Sequence, residues 1–126
     1  MSALLLHLAF ALGGGIGAVA RHALTLLVTN RFPFSTLVVN VAGCLILGAA
    51  SAFLPRLTGF EGEEIRRLVA GFCGGLTTFS SFAYQSLDLH RSATIYHAAT
   101  NIVLSLVLCL AAFWSGHALV AALVPA

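Results

Sequence analysis

Residues suited to chemistry crowd into one short stretch, Gly71 to Phe82, which reads GFCGGLTTFSSF and interrupts an otherwise apolar segment. Its glycines weaken a helix, and hydroxyl side chains follow them at once. Irregular backbone at membrane depth is tolerated only where it packs against protein or lines an aqueous path. We therefore expect a broken helix here, with freed N–H and C=O groups of the kind that build ion pathways and transport sites.

The aromatic rings of this stretch offer a second chemical function. Phe79 and Phe82 are three residues apart, so they share one face of a helix. The quadrupole of an aromatic ring gives its edge a partial positive charge, so two such edges suit an anion. Two interpretations stay open at this point, because the rings can simply pack and the hydroxyls can bond back to carbonyls four residues earlier. The density of glycine, hydroxyl and aromatic residues favours the functional interpretation.

The composition identifies the class of protein. Of 126 residues, 60% are hydrophobic and 8% charged, far below the roughly 25% charge of soluble domains. We predict an all-α integral membrane protein. The net charge of +2 rests on scattered arginines, so no nucleic-acid partner is expected. The three cysteines lie in separate apolar segments without disulfide or zinc spacing, which predicts small buried side chains.

Four apolar segments, residues 4–28, 35–54, 68–87 and 95–123, are each near the length that a helix needs to cross a bilayer. We predict one domain over residues 1–126 with four transmembrane helices, the third broken at its centre. No basic residue precedes Leu4, so we expect the first segment to be a retained helix and not a cleaved signal peptide. Because four helices enclose little volume, a homo-oligomer is expected.

Polar side chains occur at three further places in these segments. Arg21 follows the close-packing pair Gly13 and Gly17 and serves either as a snorkelling or capping residue or at a water-filled vestibule. Asn40 either forms a hydrogen bond to a neighbouring helix, as interhelical glue, or donates a hydrogen bond to an anion. A narrow polar track runs along the last segment at four-residue spacing, through Asn101, Ser105 and Cys109.

The positions of the charged residues bear on the transport mechanism and on the orientation of the chain in the membrane. The predicted spans contain no Asp, Glu or Lys, which argues against a proton-coupled carrier. The arginines are nearly balanced, with Arg56, Arg66 and Arg67 on the side of the termini and Arg31 and Arg91 on the other. Such a small difference in positive charge between the two sides of the membrane permits insertion in both orientations.

Three motifs carry a resemblance across essentially the whole chain. They are GGLTTFSSF at 74–82, TLVVNVAG at 36–43 and GGGIGAVAR at 13–21, and together they resemble the Fluc (CrcB) family of fluoride channels. The resemblance implies an antiparallel dual-topology homodimer with two fluoride pores and a structural sodium ion at its centre. It also implies that the protein lies in the bacterial inner membrane as a multi-pass protein.

The same resemblance assigns roles to individual residues. Phe79 and Phe82 would line the fluoride pathway, with Asn40 reaching it and Ser81 and Ser105 in its polar track. The sodium ion would bind backbone carbonyls of Gly74 and Thr77 from each subunit, and Arg21 would stand near the vestibule. One departure is Gln85, where many members of the family carry Glu.

The function that we expect from the residues and the resemblance is a fluoride-selective channel, not an enzyme. It would export cytoplasmic fluoride passively down its electrochemical gradient and so lower fluoride toxicity. Its partners would be fluoride, a second copy of the chain and the lipid bilayer. Two alternatives are a small multidrug exporter, disfavoured by the lack of a membrane carboxylate, and a membrane scaffold that transports nothing.

Overall fold

A computed structural model of the protein describes residues 2–28 and 33–124, and the regular elements in these ranges are all helical. A single 3₁₀ turn, Leu54–Arg56, connects the second and third helices. The α-helices are α1 Ser2–Leu27, α2 Phe34–Phe53, α3 Gly59–Leu76, α4 Phe79–Ser92 and α5 Ile95–Leu123. The prediction of an all-α protein is confirmed.

Three stretches in the described part of the chain are long and apolar enough to cross a membrane: Ala3–Leu27, Phe34–Arg56 and Ile95–Leu123. Their outward faces carry exposed side chains such as Leu8, Val19 and Leu119, as expected of surfaces that meet lipid. The chain is therefore a membrane protein. In place of the third predicted span, 68–87, the structure has α3 and α4, which together extend beyond it at both ends.

Helix α1 packs along α3, and glycines make that contact possible. A Cβ atom on Gly13 would overlap the carbonyl oxygen of Leu68, and one on Gly17 would overlap that of Phe72. The relation is reciprocal, because a Cβ on Gly71 would overlap the carbonyl oxygen of Phe10. The expectation that Gly13 and Gly17 serve close helix packing is confirmed.

Helices α2 and α5 form a second close pair built in the same way. Gly48 approaches the carbonyl oxygen of Phe113, and Gly116 approaches that of Leu45. Beside this contact, the Ser51 hydroxyl donates to the carbonyl oxygen of Gly48 and lies 2.9 Å from Nδ1 of His117. The protein thus consists of two glycine-packed helix pairs, with α4 against α5.

The break in the third segment is confirmed, but its predicted cause is wrong. Gly71, Gly74 and Gly75 all lie within the regular helix α3, and the interruption falls after them, at Thr77 and Thr78. Glycine costs a helix about 1 kcal/mol relative to alanine, which is little beside the penalty of a clash between helix backbones. Gly71 and Gly75 are therefore packing residues against α1, where a side chain would not fit.

The packing of α1 on α3 predicts different consequences for two neighbouring glycines. Gly13→Ala drives a methyl group into the backbone of α3 and should lower the free energy of unfolding by about 1–3 kcal/mol. Gly15→Ala is the matched control, because nothing lies within 4 Å of a Cβ there. Reversible unfolding in detergent, followed by circular dichroism, measures both. Equal stability of the two variants would contradict this packing.

Candidate functional site

The candidate site begins at the two residues that separate α3 from α4. Thr77 and Thr78 have extended backbones, with ψ of 156° and φ of −150° respectively. The Thr77 N–H still makes the last helical hydrogen bond of α3, to Cys73, but the Thr78 N–H leaves the regular ladder. In an apolar surrounding each such group needs another partner.

Asn40 of α2 supplies those partners for Thr78. Its side-chain oxygen accepts a hydrogen bond of 2.8 Å from the Thr78 N–H, and its Nδ2 donates one of 3.2 Å to the Thr78 carbonyl oxygen. The interpretation of Asn40 as interhelical glue is therefore correct in a specific sense: it binds the broken backbone itself. A carboxamide has two N–H donors, and Thr78 takes one of them.

Thr77 is held by α3 and accommodated by α2. Its N–H and its hydroxyl both donate to the carbonyl oxygen of Cys73, at 3.0 Å and 2.9 Å. Its methyl group occupies space that a Cβ on Gly43 would fill. The absence of a side chain at Gly43 thus allows α2 to approach the break.

Thr78 also begins α4 as its N-cap residue. Its Oγ1 accepts from the Ser81 N–H at 3.2 Å and donates to the Ser81 hydroxyl at 3.1 Å. The sequence analysis did not predict this role, although Thr is a common N-cap residue. Ser81, predicted to lie in the polar track, is engaged in this cap and is not part of the groove described next.

A groove of about 460 Å³ lies beside the break, between α2, α3, α4 and α5. Four of the predicted pathway residues meet there: Asn40, Phe79, Phe82 and Ser105. The Phe79 and Phe82 ring centroids are 5.5 Å apart, which confirms that the two rings share one face. The remaining lining residues are Gly43, Cys44, Leu47, Ala70, Cys73, Gly74, Thr77, Thr78, Leu106 and Cys109.

The lining of this groove contains hydroxyl, amide, thiol and aromatic groups but no charged side chain. An anion inside it would therefore meet polar groups and aromatic rings without a fixed cation. Arg21 is not among the lining residues. It is partly buried on α1, one turn beyond Gly17 on the side that faces α3, and so lies near the level of the break.

The residues of the polar track predicted on α5 lie in two different surroundings. Asn101 is 2% exposed and donates from Nδ2 to the Ser86 hydroxyl at 2.9 Å, which in turn donates to the carbonyl oxygen of Phe82 at 2.8 Å. Ser105 and Cys109 instead line the groove. Asn101 thus ties α5 to α4 close to Phe82, and only the later part of the track faces the candidate pathway.

The carbonyls of Gly74 and Thr77, predicted to bind a cation, lose their ordinary helical donors at the break. In a continuous helix the Thr78 N–H would reach Gly74, and the Ser81 N–H would reach Thr77. Those N–H groups donate instead to Asn40 and to the Thr78 hydroxyl. Residues 2–28 and 33–124 contain no cluster of three or more His, Cys, Asp or Glu side chains suited to a metal.

Fold and site together define an all-helical membrane protein with an uncharged, largely apolar groove beside a helix break. The family described as CrcB-like protein, Camphor Resistance (CrcB), matches residues 8–117. The chain belongs to this family.

Three relatives extend the comparison. A protein of Opitutus terrae is 45% identical over 122 residues, with 89% of each chain covered. One of Methylocella silvestris is 40% identical over 122 residues, covering 89% of this chain and 90% of its own. One of Rhodospirillum rubrum is 38% identical over 121 residues, covering 88% and 91%. Each of these relatives is named a fluoride-specific ion channel, FluC.

Proposed function

We propose that this protein is a fluoride-selective ion channel. It lets fluoride leave the cytoplasm passively down its electrochemical gradient and thereby lowers fluoride toxicity. The observation that carries the proposal is the groove at the helix break, where Asn40, Phe79 and Phe82 meet without a charged side chain. Membership of the CrcB family and the names of the relatives support it.

The chemistry of the groove suits a small, strongly hydrated anion. A pore must replace the water that such an ion loses with donors of matched strength. The second N–H of Asn40, the Ser105 hydroxyl and the ring edges of Phe79 and Phe82 are donors of this kind. Without a fixed cation among them, the ion binds weakly enough to leave again. The process breaks no covalent bond, so the protein is a channel and not an enzyme.

Two predicted residues act at the margins of this pathway. Ser81 supports it through the cap at Thr78, which sets the start of α4 and so the positions of Phe79 and Phe82. Arg21, near the level of the break on α1, is assigned to the vestibule, where a cation attracts anions without entering the groove. Both assignments follow the resemblance of the motifs that contain these residues.

We further propose that two copies assemble as an antiparallel, dual-topology homodimer in the bacterial inner membrane, each crossing it several times. Phe79 is 77% exposed in the single chain, and Gly74 has nothing within 4 Å of a Cβ position. A surface that contains both a bare helix backbone and an exposed ring at the break suits a second protein chain better than lipid. The nearly balanced arginines allow the second copy to insert in the opposite orientation.

This arrangement provides a place for the sodium ion. The Gly74 and Thr77 carbonyls lack their usual helical donors, and two copies would bring four such oxygens together at the dimer centre. Carbonyl oxygens suit a hard cation, and no carboxylate lines the groove to favour a divalent one. The residues present thus fit a structural sodium ion, whose charge would hold the two breaks together.

Fluoride flux from proteoliposomes tests the function and the aromatic pathway together. The parent protein should release fluoride, and Phe79→Ile or Phe82→Ile should remove most of that flux, because an aliphatic chain keeps the bulk but has no positive ring edge. Phe53→Ile, at the end of α2 and outside the groove, is the matched control and should conduct like the parent. A parent without fluoride flux would overturn the function, and full flux in both groove variants would overturn the Phe-lined pathway.

Asn40 is expected to matter more for conduction than for folding. Asn40→Leu removes two hydrogen bonds, and at an average of about 0.6 kcal/mol each the free energy of unfolding should fall by about 1 kcal/mol. Flux should be abolished, because the donor to the anion is lost. Asn40→Asp keeps an acceptor for the Thr78 N–H but repels an anion, so it should also fail to conduct. Parental flux in Asn40→Leu would reduce this residue to a structural role.

Labelling of a single cysteine tests the dimer. On a background without Cys44, Cys73 and Cys109, a terminal cysteine should react from both sides of the membrane. Labelling from one side in all molecules would contradict dual topology and the shared cation site.

Sodium binding by the purified dimer tests the proposed ligands. Thr77→Ser should retain the bound ion, because the proposed ligand is a backbone oxygen. Loss of the ion in this variant would exclude that ligand.

A further inference from the structure

Three thiols that lie far apart in the sequence face the same groove. Cys44 is on α2, Cys73 on α3 and Cys109 on α5, and all three are free. Cys44 and Cys109 are partly exposed, whereas Cys73 is only 3% exposed. The expectation that each is merely a small buried side chain is therefore wrong for Cys44 and Cys109.

Cys44 and Cys109 lie at the same level of the α2–α5 helix pair. Each precedes by one helical turn a residue of the close contact between Gly48 and Phe113, and both side chains line the groove. Cys44 follows Asn40 by one helical turn, and Cys109 follows Ser105 by one turn. The pair therefore lies directly beside the polar part of the groove.

Two thiols without a histidine or carboxylate beside them have a restricted metal chemistry. The described residues offer no cluster of three or more ligand side chains, which leaves a closed four-ligand zinc site without its donors. Two thiolates alone suit a soft ion that accepts linear coordination. Hg²⁺ reacts with two thiols to form two mercury–sulfur bonds and releases two protons, so the bound complex is neutral. That neutrality matters here, because a net charge within a membrane span is costly.

We propose that Cys44 and Cys109 form a binding site for a soft, two-coordinate metal ion, represented by Hg²⁺, and that the bound ion blocks the groove. The metal would bridge α2 and α5 one turn away from Asn40 and Ser105 and occupy space that a passing ion needs. Binding depends only on the two thiols. The block of conduction rests in addition on the proposed channel function.

Binding is tested on the intact purified protein in detergent, by the ultraviolet absorbance of the mercury–thiolate bond during titration with Hg²⁺. One ion per chain should bind and resist displacement by a competing monothiol. Displacing Hg²⁺ from Cys44→Ala or from Cys109→Ala should require about 100-fold less of the monothiol, because a single protein thiol lacks the gain of simultaneous attachment. Cys73→Ala is the matched control, since it also keeps two thiols, and it should bind like the parent. Weak binding by the parent, or equal loss in all three variants, would overturn the site.

The block is tested separately in proteoliposomes, with each protein compared with its own flux in the absence of mercury. Hg²⁺ should inhibit the parent and Cys73→Ala and spare Cys44→Ala and Cys109→Ala, and Cys44→Ser and Cys109→Ser should repeat the result if an alanine variant is unstable. Undiminished flux with mercury bound would overturn the block. Absence of fluoride flux in every protein would overturn the channel function, and the titration would still decide the metal site.

Discussion

The structure depends on one constraint, that backbone groups freed by a helix break in an apolar surrounding must find partners inside the protein. A peptide group that is left without a partner there destabilises the fold. Asn40 meets this need at Thr78 by accepting from its N–H and donating to its carbonyl. Because Thr78 also caps α4, the same contact sets where α4 begins and where Phe79 and Phe82 lie. A single side chain on α2 thus links the break to the aromatic part of the groove.

The glycines make this contact geometrically possible. Gly13 and Gly17 bring α1 onto α3, while Gly48 and Gly116 join α2 to α5. The groove lies where the two pairs and α4 meet, so its width follows from how closely the helix backbones approach. Gly43 completes the arrangement, because its missing side chain leaves room for Thr77 against α2. In a membrane, where apolar burial drives helix association little, such close backbone contact is a main source of stability.

Properties set by composition and short spacing could be predicted from the sequence. The apolar segments indicated membrane helices, and the cluster of glycines and hydroxyls indicated a break in the third segment. Phe79 and Phe82 were expected on one face because three residues make nearly one helical turn, and their rings are neighbours in the structure. The motifs also indicated the family, which the comparisons show.

Properties that depend on contacts between distant segments were decided only by the tertiary structure. The sequence indicated a break at the centre of the third segment but not which residues form it, because helix packing holds Gly71 and Gly75 in α3 and leaves the interruption to Thr77 and Thr78. Asn40 was a candidate donor by its type, yet its partner Thr78 lies 38 residues away. Likewise, Cys44 and Cys109 line the same groove only because α2 packs on α5. Residue type and spacing determine what a helix face offers, but the packing of helices determines which faces meet, and that information is not local in the chain.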